Sequence, residues 1–254
     1  MLKTRIIPVL QLKNNTAIKT VNFCNERMVG DAITHVKIFS NRLSDEMVIL
    51  DLDGTQKRKT NKNYIKRLSK ECNMPLMVGG GIRTLNDAHN LFQSGADKII
   101  INTEFYYNKQ FIPTLVKIYG SQSIIFSLDV KSNGKDDYLT YSNGGRKKQT
   151  LSYLDTVDCV SNLGVGEILI NNIQRDGKMQ GYDLKLISNI SKITDKPLIA
   201  LGGCSCKQDF KLAFEKGASG FAAGSVFHWI GESILTIKRY LMENQVPVRL
   251  LPND

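Results

Sequence analysis

The stretch Val78-Gly79-Gly80-Gly81-Ile82-Arg83, followed by Asp97-Lys98-Ile99-Ile100-Ile101-Asn102-Thr103, reads as strand, glycine turn, helix, strand and small-residue turn. The same order recurs in Ala200-Leu201-Gly202-Gly203-Cys204 and Gly220-Phe221-Ala222-Ala223-Gly224-Ser225. Gly80 and Gly202, Gly95 and Gly217, and Asn102 and Gly224 all pair at an offset of 122. Three equal offsets make a gapless internal repeat, so the chain divides into two related halves. Glycines at strand ends let backbone N–H groups approach an oxyanion, and a following helix N-terminus adds partial positive charge. Two such places predict a ligand with a phosphate at each end; tight turns alone are the plainer alternative.

Working outward, eight short apolar runs each precede a helical pattern. The strands are Arg5 to Leu10, Glu46 to Asp51, Pro75 to Val78, Lys98 to Ile101, Ser123 to Asp129, Glu167 to Asn171, Pro197 to Leu201 and Gly220 to Ala223. A loop with Lys13, Asn14, Asn15 and Lys19 follows the first, and Asp31 caps a helix to about Asn41. Further helices are expected near Lys62 to Cys72, after a Thr84 cap with Asp87 three residues on, and at Lys109 to Tyr119. In the second half they fall at Leu151 to Leu163, from Asp183 to Ile193, at Lys207 to Glu215, briefly near Ser225, and from Glu232 to Met242. Asn133-Gly134 and Asn143-Gly144-Gly145 mark a hairpin excursion after the fifth strand. Parallel strands with right-handed crossovers, in two halves that cannot cover their edges separately, predict a closed (β/α)8 TIM barrel. The chain reads as one domain over residues 1–254, a length typical of that barrel.

The 254 residues carry a formal net charge of +10. The basic residues are dispersed, apart from clusters at Lys57-Arg58-Lys59 and Arg146-Lys147-Lys148, and neither is interleaved with aromatics for base stacking. A phosphorylated small molecule is therefore expected, not a nucleic acid. No apolar run approaches a membrane span of about 18 residues, and the start reads as a strand, not a signal peptide. Five cysteines at irregular spacing (Cys24, Cys72, Cys159, Cys204, Cys206) argue for a reducing cytoplasm. Cys204-Ser205-Cys206 lacks a second Cys/His pair, so no metal is expected, and no cofactor either. His35, His89 and His228 read as structural or surface residues.

In such a barrel the active site lies at the C-terminal ends of the strands. Gln11, Asp51, Gly80, Asn102, Asp129, Asn171, Leu201 and Gly224 occupy those ends. Gln11 and Asp129 face each other as the ends of the two halves' first strands. Asp129 can exchange a proton; Gln11 offers hydrogen bonds only. At the opposite end, Arg5, Glu46, Lys98 and Glu167 start strands one, two, four and six. They are either a neutralising ring at the floor or solvated strand starts.

Nearly the whole chain resembles the cyclase subunit of imidazole glycerol phosphate synthase. The resemblance lies in Arg5-Ile6-Ile7-Pro8, Val21-Asn22-Phe23, Val78 to Arg83, Gly95-Ala96-Asp97-Lys98, Gly120-Ser121-Gln122 and Gly144-Gly145-Arg146-Lys147. It continues through Gly166-Glu167-Ile168-Leu169, Arg175-Asp176-Gly177, Gly181-Tyr182-Asp183 and Ser225-Val226-Phe227-His228. The resemblance implies a barrel that receives ammonia from a glutaminase docked under its N-terminal face. It implies that Arg5, Glu46, Lys98 and Glu167 form the ammonia gate. Lys19, Gly81, Asn102, Thr103, Gly203, Gly224 and Ser225 match positions that hold the family's two-phosphate substrate, and Asp129 matches one catalytic aspartate.

The family's other catalytic aspartate is Gln11 here, its small hydroxylic mouth residues are Asp53, Asn171, Asn172 and Leu201, and the acid of its strand-six loop is Gln174. Losing a general acid or base costs on the order of 10²–10⁴ in rate. Three functions follow. One is a diverged paralogue supplying glutamine-derived ammonia to a separate sugar amidotransferase that amidinates a surface-polysaccharide sugar. Another is the ordinary cyclase of histidine biosynthesis. The last is a scaffold that only activates the glutaminase.

Overall fold

The computed structural model describes residues 3–57, 61–134, 137–230 and 233–249. Arg58 and Lys59 of the first basic cluster, and Glu232 at the expected start of the last helix, lie outside them. The first half runs β1 (Arg5–Lys13), β2 (Thr16–Val21), β3 (Cys24–Asp31), α1 (Ala32–Asn41), β4 (Met47–Asp51), α2 (Leu52–Lys57) and α3 (Lys62–Ser69). It continues with β5 (Leu76–Gly79), α4 (Leu85–Gln93), β6 (Lys98–Ile101), α5 (Thr103–Tyr107) and α6 (Phe111–Tyr119). The second half is β7 (Ile124–Ser132), β8 (Tyr138–Ser142), β9 (Lys147–Ser152), α7 (Tyr153–Asn162), β10 (Glu167–Asn172) and α8 (Leu184–Ile190). It ends with β11 (Leu198–Leu201), α9 (Lys207–Glu215), β12 (Gly220–Ala223), a π-helical turn (Val226–Ile230) and α10 (Ile234–Glu243).

Eight strands pair in parallel around a closed ring: β1, β4, β5, β6, β7, β10, β11, β12 and back to β1. This is the expected (β/α)8 barrel. Two antiparallel hairpins extend the sheet off β1 and β7. The second matches the expected excursion. The first corrects a reading. The residues expected to form a loop after the first strand instead form the end of β1, β2 and β3, which places Lys19 inside a strand. Its two tight turns use Asn14 and Asn15 (φ 49° and 58°) and Asn22 and Phe23 (φ 55° and 63°). Paired positive φ values are the geometry of a two-residue hairpin. Without a glycine, neither turn stands out in the sequence.

Side chains alternate across each strand. On β1, Ile6, Leu10 and Leu12 pack outward under the helices, while Ile7 and Val9 fill the barrel. Val48, Met77, Ile100, Ile125, Leu169, Ile199 and Ala222 join them inside. Each buried aliphatic side chain contributes roughly 1.5–3 kcal/mol. The helices begin where short polar caps satisfy free N–H groups. Asp31 accepts from Thr34 N, Ser152 from Asp155 N and Asp183 from Leu186 N, and Thr84 with Asp87 closes a capping box. α10 is tied to the floor by Lys238, whose Nζ lies 2.7 Å from Asp45 Oδ1, both side chains being buried.

Other boundaries shift. The helix expected at Lys62 to Cys72 ends at Ser69, and α2 and α5 are short helices beyond the expected set. The element near Ser225 is π-helical, and among the described residues Ser225 Oγ makes no capping bond to it.

Candidate active site

The period of two carries one interior face from floor to mouth. Arg5, Ile7, Val9 and Gln11 share it on β1; Glu167, Leu169 and Asn171 share it on β10. Each such strand is charged at its start, aliphatic in its middle and polar at its end.

At the floor, Arg5, Glu46, Lys98 and Glu167 make a closed ring of alternating charge. Arg5 Nη1 donates to Glu46 Oε2 (2.8 Å) and Nη2 to Glu167 Oε2 (2.5 Å). Lys98 Nζ donates to Glu46 Oε1 (2.7 Å) and Glu167 Oε1 (2.5 Å). Every carboxylate oxygen has one cationic donor. Side-chain exposure is 8–16% around the ring, so these are not solvated strand starts. Burial pushes the Glu167 carboxyl up, but the hydrogen bonds and charges of Arg5 and Lys98 outweigh it and hold Glu167 below the usual range. For Arg5, burial works against the charged form, and Glu167 and Glu46 more than restore it.

At the mouth, β7 lies four strands from β1 around the ring, so Gln11 and Asp129 are on opposite walls, and both line one cleft. The cleft encloses about 1120 Å³ out to its open rim. Gln11 is buried; its Oε1 accepts from Thr20 N (3.0 Å) and lies 3.2 Å from Thr20 Oγ1, whose proton is better placed on Asp176. Thr20 Oγ1 reaches Asp176 Oδ2 (2.9 Å). Asp129 is buried, with Ser127 Oγ 3.1 Å from Oδ1 and Asn102 Nδ2 3.4 Å from Oδ2. Burial raises the Asp129 carboxyl to about 7; Ser127 and Asn171 pull it down, and the charge of Asp176 pushes it up. A carboxyl poised near neutrality can take or give a proton at working pH. No cation within hydrogen-bonding distance balances it among the described residues.

The glycine turns have the geometry their sequence suggested. Gly80 and Gly81 (φ 112° and 75°) and Gly202 and Gly203 (φ 89° and 102°) are conformations that favour glycine. A Cβ on Gly80 would run into the Asp51 carbonyl, and one on Gly203 into that of Gly181. Gly80, Gly81, Asn102 and Thr103 line the wide cleft. Gly202, Gly203, Gly224 and Ser225 line a separate recess with Lys19 and Asp176. Burial lowers the Lys19 ammonium and Asp176 opposes it. A Cβ on Gly224 would meet Lys19 Nζ, so the amine sits directly against that turn.

Other mouth residues turn elsewhere. Asp51 accepts from Gly54 N (2.8 Å) in the first turn of α2. Asp53 accepts from Asn14 N. Asn172 donates to Asp183 Oδ2 (2.7 Å), and Gln174 Oε1 takes Ser132 N (2.6 Å). Asp176, Thr20 and Ser127 are mouth residues that sequence reasoning passed over. Asp176 sat in a quoted motif, but its contact to Thr20 spans 156 residues, which no local pattern reveals. The five cysteines are free thiols, and among the described residues no group of three or more His, Cys, Asp or Glu could hold a metal. No helix of the described residues is long and apolar enough to cross a membrane.

Comparison with known proteins agrees with this geometry. The family described as "Histidine biosynthesis protein" matches residues 5–230. "Imidazole glycerol phosphate synthase subunit HisF" of Hydrogenobaculum sp. (strain Y04AAS1) is 39% identical over 252 residues, covering 98% of this chain and 100% of that protein. The subunit of the same name from Alkaliphilus metalliredigens (strain QYMF) is 37% identical, covering 98% and 100%. That from Thermococcus onnurineus (strain NA1) is 35% identical, covering 98% and 99%. A full-length match, on a barrel with a polar mouth and a charged floor, assigns the family: this chain belongs to the histidine biosynthesis proteins and is HisF-like.

Proposed function

We propose that this chain is the ammonia-accepting subunit of a glutamine amidotransferase, working in the cytoplasm with a glutaminase docked under its N-terminal face. The closed charge ring carries this reading. It covers the end of an apolar interior whose other end is the mouth. Such an interior suits a small neutral molecule, and the ring suits a gate that a docked partner opens. The mouth supplies Asp129, poised to move a proton, and turns suited to a phosphorylated ligand.

The reaction at the mouth is proposed to differ from that of the family's cyclase. Gln11 accepts from Thr20 and has no proton to exchange at neutral pH. The nitrogen would then serve a separate amidotransferase that amidinates a surface-polysaccharide sugar. The ordinary cyclase is the second reading, favoured by the names of the relatives.

Mixing the chain with its cognate glutaminase tests the shared part: co-elution and faster glutamate release are expected, and the absence of both would remove the ammonia-accepting role. Supplying ammonium and the family's histidine-pathway substrate separates the two readings. Turnover is expected to be at least about 10²-fold below the ordinary rate. A rate of roughly 1 s⁻¹ or above would restore the ordinary cyclase.

A further inference from the structure

The mouth is two cavities. The wide cleft holds the Gly80–Gly81 turn with Asn102 and Thr103; the recess, about 260 Å³, holds the Gly202–Gly203 turn with Lys19. Leu201 alone lines both. Its side chain stands on the inner face of β11 above Ile199 and is 7% exposed. A line of hydrogen bonds also joins the lining of one cavity to that of the other. Gln11 Oε1 takes Thr20 N, and the single Thr20 hydroxyl proton goes to Asp176 Oδ2, the nearer and charged acceptor. Gln11 and Thr20 face the cleft, while Asp176 faces the recess. A ligand threading both cavities would have to move a buried isobutyl group or part Thr20 from its partners.

The cavities also differ in charge. Arg83 and Arg146 line the cleft together with two acids: Glu26, whose carboxylate is paired with Lys13, and Asp129, whose carboxyl burial raises to about 7. In the recess the Lys19 ammonium is opposed by the Asp176 carboxylate. With Glu26 paired, two arginines in the cleft face one part-protonated carboxyl, so the stronger attraction for an anion is there. The rest of that cleft mixes apolar walls, such as Phe23, Leu50 and Ile82, with neutral polar groups, such as Gln56 and Asn143. That lining suits a neutral polyol or sugar.

We infer that Leu201 is a specificity-determining residue: with the Gln11–Thr20–Asp176 bonds it partitions the mouth, so that the ligand is a phosphate monoester of a neutral polyol or sugar, held by one anion at the Gly80–Gly81 turn. The inference rests on the anion-binding role proposed above for the turns. It departs from the two-phosphate ligand that the sequence repeat suggested.

Calorimetry with inorganic phosphate, an alkyl monophosphate and α,ω-alkyl bisphosphates of graded length tests it, with the amide signals of Gly81 and Gly203 reporting each cavity. A ligand bridging two sites binds on the order of 10²–10⁴ more tightly than its halves. The wild-type protein is expected to bind every bisphosphate within about twofold of the monophosphate, with Gly81 responding and Gly203 unmoved. Leu201→Ser, or Leu201→Ala should the serine variant fail to fold, is expected to tighten at least one bisphosphate about tenfold or more and to move both signals. Bisphosphate binding by the wild-type protein about tenfold or more above the monophosphate, with both signals moving, would overturn the partition. Absence of phosphate binding at Gly81 would instead overturn the anion-binding role, and the partition's consequence with it.

Discussion

The two ends of the barrel interior handle charge in opposite ways. At the floor, two cations and two anions alternate, and every oxygen has a donor at 2.5–2.8 Å. At the mouth, Asp129 is buried with neutral donors only, Ser127 and Asn102, and its proton affinity rises to about 7. The floor keeps its charges by pairing them; the mouth keeps its carboxyl by letting it hold a proton. Both solve the cost of burying charge, but only the second leaves a group able to exchange a proton near neutral pH. The floor thus fixes the protonation state of its groups, and the mouth leaves one free to change.

Breaking the ring is the largest perturbation of this contrast. Glu167→Ala leaves Arg5 and Lys98 sharing one carboxylate in a buried site. The expected loss is about 3–5 kcal/mol, read from the midpoint of denaturant unfolding. Because the Glu167 carboxyl lies below its usual range in the folded protein, the wild-type contribution is full above the unfolded value of about 4.3. It fades as pH falls through the folded value. An unchanged midpoint at pH 7 would show that the ring does not hold its charges as described.

Asp129→Asn attacks the other side. The folded carboxyl titrates at about 7 and the unfolded one near 3.9. Between those values the folded protein holds a proton that the unfolded chain has released, so wild-type stability falls as pH rises, by at most about 1.4 kcal/mol per unit. The variant is expected to lack this slope and to be the more stable protein at pH 8 by a few kcal/mol. Parallel pH profiles for the two proteins would place Asp129 in an ordinary, solvated setting.

Thr20→Val is the smallest test. It removes the hydroxyl between Gln11 and Asp176, leaving a buried carboxylate short of a donor. A hydrogen bond to a charged group contributes about 1.5–3 kcal/mol, so a loss of about 2 kcal/mol is expected in thermal or denaturant unfolding. A loss as large as that of Glu167→Ala would mean that the mouth's neutral bonds carry as much as the floor's ion pairs.

The eight barrel strands were legible because each is a short apolar run before a helix pattern, and parity along β1, β7 and β10 then orders floor, core and mouth. The hairpin of β2 and β3 was not, because Asn14-Asn15 and Asn22-Phe23 turn without glycine. Taking that segment as a loop hid that Lys19 is held rigidly on a strand against Gly224. The glycine turns announced themselves by the repeat. The partition did not, because it depends on the volume of Leu201 and on Gln11 reaching Thr20, and sequence offsets carry neither. Asp176 reaches the mouth from the turn after β10, a placement set by barrel closure alone.

The alternation of charge at the floor also bears on the far end. Glu167 is in register with Ile125 and Asn171 with Asp129, so four residues along the strand separate the two ends, about 13 Å at about 3.3 Å per residue. A bare unit charge at that distance would shift Asp129 by about 1 kcal/mol at an effective dielectric constant of about 20. Four alternating charges have no net monopole. They leave a quadrupole, whose potential dies away far faster with distance. What sets the proton affinity of Asp129 is accordingly local: its own burial first, then Ser127, Asp176 and Asn171. The ring insulates as well as closes. One end of the barrel can change its chemistry, as proposed above for Gln11 and Leu201, without retuning the other.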